Sequence, residues 1–389
     1  METDMKQAIL ESLLKVERWV EEHEYKSYEP FDGLNSFARP LTFGSLFLER
    51  LLQQLVRQSP VNIRPLVGVR PQASTKGRGY MASGYLTLLK VTGTPTYADR
   101  AAGCLEWLMA NRSPGHSGYS WGNHFDFSSR VGNIPKLEPI VPWTSLIGQV
   151  FLDAYEILGP QKYLEVARGA CEWILTVPRK RTESGVCVGY NLLGESTVHG
   201  SNMLAAALLA RTARITGEAA LVRIAREAIE YSCARQNSDG SWYYAEEANT
   251  RWIDNFHTGY NLDALRGYID STGDTTYEEH MSRGLMYFRN TFFEGSGRPK
   301  YYHNRVFPVD IQCASQAIDT LVSCAGDDGS NVELATKVAH WTIANMQDKS
   351  GYFYYRQLPY MKVKTPMLHW GQATMYKALA RLLSKMQPQ

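Results

Sequence analysis

The chain predicts an all-α fold: an (α/α)6 toroid of helical hairpins with short β-turn loops at the mouth. Two observations carry this. The first is a unit that recurs every 53 to 66 residues, built of an apolar helical run, a tight turn, a second run and a loop rich in Gly, Tyr and Trp. Its turns are Thr92-Gly93, Leu158-Gly159, Thr216-Gly217, Thr272-Gly273 and Ala325-Gly326, and related patterns follow them at Tyr97 to Trp107, Tyr163 to Trp173, Glu218 to Tyr231, Tyr277 to Phe288 and Val332 to Trp341. A near-fixed period in this range marks a repeat architecture, because one hairpin cannot bury its apolar face alone. The second is a difference between the two helices of each unit. Asn202 to Arg214 is apolar nearly all round, as an enclosed helix is, whereas Tyr163, Leu164, Val166, Ala167, Ala170, Trp173 and Ile174 keep helical spacing with charges between them.

In chain order, the pattern predicts a helix over about 3–23, an extended stretch around Tyr28 to Gly33, a helix over about 42–57 and a Pro-containing segment over 60–77. Inner helices then start near 80, 143, 199, 257, 309 and 366, the last on a Pro suited to a first turn. Five outer helices are clear, and either the 42–57 helix or the N-terminal one supplies the sixth. Residues 1–389 thus read as one toroid domain, with 1–77 closing the ring. The short turns end the inner helices, so the long loops precede them, all on one side. Helix N-termini with free N–H groups and partial positive charge converge there, and function is expected at that mouth.

The bulk numbers narrow the classes. A net charge of +2 with no Lys/Arg block gives no case for nucleic acid. No run is long and apolar enough to span a membrane, and the charged, amphipathic Met1 to Tyr25 has no signal-peptide core. Six cysteines without C-x-x-C spacing read as reduced, mostly buried thiols of a cytoplasmic protein. No ligand spacing supports a metal, and no cofactor is expected. The oligomeric state stays open.

The repeated loop Gln236 to Trp242, matched by Gln347 to Phe353, reads as architecture: a glycine turn and an aromatic that packs the loop down. The densest polar-aromatic cluster is Arg251 to Asn261. Within it Asp254 is a candidate acid or base, His257 titrates near neutrality, and His257, Tyr260 and Asn261 share one helix face. In the loop before the second inner helix, Trp121, Asn123, His124 and Asp126 pair an Asn-His dyad with candidate sugar contacts, Asp126 and Trp121. Tyr190, Glu195 and His199 sit at or before the third inner helix, Tyr302 and Asp310 before and at the fifth, and Arg356, His369 and Trp370 before and within the sixth. Each also has a structural reading as a cap or packing residue. Asp32 could reach the same rim but reads more simply as a turn residue. Arg130, Arg179, Lys180, Arg181, Arg251, Arg298, Lys300, Arg305, Arg356 and Lys364 would make the mouth electropositive. With aromatic platforms this suits an acidic sugar chain.

The repeats and the Gln-turn-Trp loop resemble the six-hairpin glycosidase-like superfamily over most of the chain. From about residue 28 onward, Tyr28 to Asn35, Tyr119 to Asp126, Trp252 to Asn261, Pro299 to Tyr302 and Gly351 to Arg356 resemble a family associated with bacterial and archaeal surface-polysaccharide gene clusters. Its members often carry the label of aminolevulinate dehydratase, a barrel of alternating strands and helices with a Schiff-base lysine, which a nearly all-helical chain does not fit. The resemblance implies an enzyme of a surface polysaccharide or its oligosaccharide precursor. Glycoside hydrolysis would draw on a pair among Asp126, Asp254 and Asp310. Uronate lyase or C5-epimerase chemistry would use Asn123, His124, His257 and Tyr260. A non-catalytic glycan-binding protein of an assembly system is the third reading. A terpene-type cyclase is disfavoured because no Asp-x-Asp-Asp motif occurs.

Overall fold

The computed structural model describes residues 2–129, 132–326 and 329–386. Six inner helices form a closed ring: α3 (Thr75–Thr92), α5 (Val141–Leu158), α7 (His199–Thr216), α9 (Asn255–Thr272), α11 (Ile311–Ser323) and α13 (Thr374–Lys385), the last entered through a π-helical turn over Leu368–Ala373. Each packs on the next, and α13 packs back on α3. Outside them lie α4 (Pro95–Ala110), α6 (Gln161–Thr176), α8 (Ala219–Cys233), α10 (Glu278–Thr291) and α12 (Ser330–Met346). The sixth outer position is taken by α1 (Glu2–Glu22), against α12 and α13. Its Ile9, Leu13, Val16 and Val20 are fully buried at helical spacing, and its Glu17 accepts a 2.8 Å bond from Tyr376 Oη. The other candidate, α2 (Leu46–Gln58), lies on the rim instead, against the turn at Asp32–Asn35.

The inner helices begin close to their expected starts except the first, which begins at Thr75 rather than near residue 80. Lys76-Gly77-Arg78-Gly79 reads locally as loop because glycine is a poor helix former. In the ring, a Cβ on Gly77 would stand 3.0 Å from Leu368, and one on Gly79 3.2 Å from Ile147. Close helix approach therefore selects the glycines, and the Ser74 side chain caps the helix by accepting from Gly77 N at 3.2 Å.

Four of the five tight turns end their helices on a left-handed glycine: Gly93, Gly159, Gly217 and Gly273. The fifth differs. Helix α11 ends at Ser323, and the left-handed residue is Gly329, just ahead of α12. The long loops carry short antiparallel ladders, such as Arg179–Thr182 with Gly185–Val188 and Val309–Asp310 with Arg356–Gln357, and these stiffen the mouth. All six cysteines are buried and free.

The two Gln loops are structural in detail. Gln236 Nε2 donates to Gly240 O and His280 O, both at 2.9 Å, and Trp242 is buried with Nε1 on Ser232 O. Gln347 Nε2 likewise spans Gly351 O and, on α1, Ser12 O. Gly240 stands at φ 93°, where a Cβ would sit 2.4 Å from Arg283 O. Gly240→Ala therefore combines backbone strain with a backbone clash, and a loss of about 1–3 kcal/mol is expected. A thermal melt followed by helical circular dichroism that matches the parent within a degree would contradict this.

Candidate functional site

Three inner-helix starts on the mouth are built around a buried carboxylate. Asp254, ahead of α9, accepts from His257 N at 2.9 Å with one oxygen; with the other it meets His257 Nδ1 at 2.7 Å and Trp252 Nε1 at 2.9 Å. Glu29 repeats this at the last inner helix. It accepts from His369 N at 3.2 Å, and its other oxygen lies against His369 Nδ1. Asp310 caps α11 through Gln312 N at 3.0 Å, binds Trp370 Nε1 at 2.7 Å and takes the Arg356 guanidinium at 2.6 Å. In each case the carboxylate satisfies an orphan N–H and suits the positive end of the helix. Glu29 is held by the next turn: Asp32 accepts from Glu29 N at 2.9 Å and pairs with buried Arg64 at 2.8 Å. Burial raises the Asp32 pKa to about 6 despite the arginine.

In the Glu29–His369 pair, burial alone would raise the carboxyl pKa, but His369, followed by His124, outweighs it and holds Glu29 below the ordinary range. Burial pushes His369 down as well, against Glu29, which favours its charged form. His124 is pushed down by burial to about 4.

Lys76, in the first turn of α3, is 5% exposed. Its Nζ donates to Tyr260 Oη at 3.0 Å and lies between the rings of Tyr80, Trp143 and Tyr260. Burial lowers its pKa to about 7; Glu29 opposes this and Lys377 adds to it. The sequence reading missed Lys76, because it stood in a stretch read as loop. Tyr260 Oη also meets Gln312 Nε2 at 3.0 Å and Tyr80 Oη at 3.2 Å, and burial raises both phenols.

Around this layer lie buried polar atoms without a protein partner: Asn123 Oδ1, His124 Nδ1, both amide atoms of Asn255, Asn261 Oδ1 and Gln312 Oε1. Buried polar groups are normally bonded, so such a cluster marks a place made for a polar ligand or ordered water. The side chains themselves are packed in. Asp254 is 2% exposed, His369 3%, Tyr260 5% and Trp370 8%, while the His257 side chain keeps 25%. Phe256 ties the two histidine pairs together, 3.9 Å from His257 and 5.3 Å from Trp370 between ring centroids.

Thus Asp254, His257, Tyr260, Asn261, Asn123, His124, His369 and Trp370 line the mouth layer, and Tyr190 borders it beside Trp143, its phenol raised to about 12 by burial. Other candidates are placed differently. Trp121 is corrected as a sugar contact: it is fully buried in the core, with Nε1 on Leu108 O at 2.9 Å. Asp126 braces the rim through Arg39 and Lys136 N. Asp310, with Arg356, Trp370 and its cap, is a satisfied structural carboxylate. His199 is fully buried between Ser232 Oγ and Glu246. Arg251 donates to Glu246 O at 3.0 Å, Tyr302 lies under Arg305, and Glu195 is exposed. The expected positive mouth is partly neutralised, since Arg356 meets Asp310 and Arg298 meets Glu294. Arg130 lies outside the described residues. Among the described residues no three of His, Cys, Asp and Glu gather as metal ligands would.

No protein-family model and no curated protein matches the chain in sequence. Solved structures match its fold. A heparin-specific unsaturated glucuronyl hydrolase aligns over 98% of this chain and 97% of its own, with TM-score 0.64 and 11% identity. A family 76 α-mannanase of Bacteroides thetaiotaomicron aligns over 80% and 86%, at 0.62 and 14%. A cellobiose 2-epimerase of Bacillus thermoamylovorans aligns over 82% and 90%, at 0.64 and 10%. The chain shares the (α/α)6 toroid fold of these structures, two of which are saccharide hydrolases and one an epimerase. It is no barrel of alternating strands and helices, so the dehydratase label does not fit.

Lys76 gives the site a pH signature. With a folded pKa near 7 against an ordinary 10.5, the unfolded chain holds more protons between those values. Stability from this group therefore rises with pH across that window. Lys76→Met removes the term, so its chemical-denaturation free energy against pH should run flatter than the parent's above about pH 7. Parallel curves would refute the neutral buried lysine.

Proposed function

We propose that this protein is a carbohydrate-active enzyme that binds an acidic saccharide at the mouth and moves a proton at one of its carbons, as a uronate epimerase or lyase does. The observation that carries this is the repeated pair, Asp254–His257 and Glu29–His369. Asp254 is hydrogen-bonded to His257 Nδ1 and Glu29 lies against His369 Nδ1, which leaves each Nε2 to exchange a proton. Removing a proton next to a carboxylate or carbonyl puts negative charge on oxygen, and Lys76 with Tyr260 supplies the donors for it. Returning the proton to the opposite face inverts the carbon, and loss of a leaving group instead gives an unsaturated sugar. The unpartnered Asn123, Asn261 and Gln312 oxygens suit sugar hydroxyls.

Two-carboxylate hydrolysis is less well supported. Asp310 is engaged by Arg356, Trp370 and its own helix, Asp126 by Arg39 and Lys136, and Asp254 by three donors. A place in cytoplasmic surface-polysaccharide assembly belongs to the same reading, which the six free thiols support.

The test is incubation with a panel of acidic and neutral oligosaccharides in heavy water, read by NMR and mass spectrometry. Deuterium at carbon, or an unsaturated uronate, is expected. His257→Ala and His369→Ala should each slow it by about 100-fold or more. New reducing ends without deuterium at carbon would overturn the reading in favour of hydrolysis.

A further inference from the structure

Helix α2 is built inside out. Its buried residues include Glu49, at 3% exposure, and Gln53, at 1%. Glu49 binds Ser128 Oγ at 2.8 Å, Asn133 Nδ2 at 2.9 Å and Arg39 Nε at 3.2 Å, while Gln53 exchanges hydrogen bonds with the Ser128 backbone. The face turned to solvent is apolar: Phe47 is 71% exposed, Leu51 45% and Leu55 59%, at i, i+4 and i+8. The flanks continue it. Phe37 (71%), Leu41 (72%) and Phe43 (87%) precede the helix, and Val61 (63%) and Leu66 (77%) follow it. Phe37 N donates to Val67 O at 3.1 Å, which joins the two flanks. Phe43 has φ 51°, a strained setting for an aromatic residue held out in water. Scattered exposed apolar side chains are ordinary, but a contiguous set on one short segment marks an interaction surface.

Charge identifies the partner. Between Asp32 and Asp99 the chain has one carboxylate, Glu49, and it is buried. Of the arginines in and beside the patch, Arg64 is buried on Asp32, Arg39 pairs with Glu49 and Asp126, and Arg57 donates to Tyr355 Oη, so Arg50 and Arg70 carry its outward charge. Arg50 and the exposed Arg70 make no ion pair among the described residues. A two-fold contact between copies would set this patch against itself and bring arginines to arginines. An anionic lipid surface accepts both features, with phenyl and leucyl groups entering the acyl boundary and arginines meeting headgroups. Among the described residues no helix is long and apolar enough to cross a membrane, so this mode lies on the surface.

We propose that the segment Phe37–Leu66, centred on α2, docks the protein on anionic phospholipid. The segment also reaches the mouth: Arg57 lies 4.3 Å over the Phe31 ring, which packs edge-on against Trp370. Docking therefore sets the mouth beside the lipid surface. This inference rests on the apolar face and its charge, and stands apart from the chemistry proposed above.

The experiment is co-sedimentation of the full chain with vesicles of phosphatidylcholine, with and without phosphatidylglycerol, at low and high salt. Binding is expected only with phosphatidylglycerol, and weaker at high salt. Phe43→Ser with Phe47→Ser should lower partitioning by more than about tenfold while helix content and melting stay at parent values. Arg50→Glu with Arg70→Glu should weaken binding with the apolar face intact. A parent that ignores phosphatidylglycerol vesicles overturns the proposal. A concentration-dependent dimer that Phe47→Ser dissociates would then assign the face to a second copy.

Discussion

The arrangement rests on buried carboxylates placed at the starts of inner helices. A toroid of this kind directs the N-termini of its inner helices at one mouth, where each presents unbonded N–H groups and partial positive charge. Glu29, Asp254 and Asp310 resolve that constraint in the same way. Each accepts a backbone N–H and uses its remaining capacity to fix a side chain: His369, His257, or Arg356 with Trp370. The helix ends thus anchor the carboxylates, and a carboxylate oxygen lies against Nδ1 of each imidazole. Structure and the proposed chemistry would share these groups, since the Asp254 carboxylate that caps its helix also holds His257.

Burial gives the layer its character. Removing water from Lys76 and His124 lowers the pKa of both, and removing it from Tyr80 and Tyr260 raises theirs, so the centre of the mouth favours neutral donors and acceptors. Of these groups Lys76 alone is brought close to physiological pH. The unpartnered amide oxygens nearby carry an unmet hydrogen-bonding demand. The rim serves a different purpose. There α2 turns its polar residues inward to hold the loop at Ser128 and Asn133, and that leaves its leucines and phenylalanines outside.

Much of the ring was legible in the sequence because its signals are local. Left-handed glycines ended four inner helices where the Thr-Gly and Leu-Gly pairs placed them, and the Gln loops packed their aromatics down. The site was legible in part. Asp254 and His257 stand three residues apart, so their contact is a consequence of one helix turn. Glu29 and His369 are separated by most of the chain, and no local pattern connects them. Lys76 was hidden because its glycine neighbours read as loop, whereas the close approach of Leu368 and Ile147 makes them helix. Trp121 looked like a platform because it stood in a polar loop, and it proved to be that loop's anchor in the core.

The sequence by itself determined the repeat, the alternation of enclosed and amphipathic helices, and the side of the ring on which the long loops gather. All of these depend on spacing along the chain. Only the tertiary structure decided which helix closes the ring, which carboxylates are already occupied by arginine or indole, and which lysine burial brings down to about 7. Those outcomes depend on desolvation and on partners brought together from distant segments, and neither is written in the neighbouring residues.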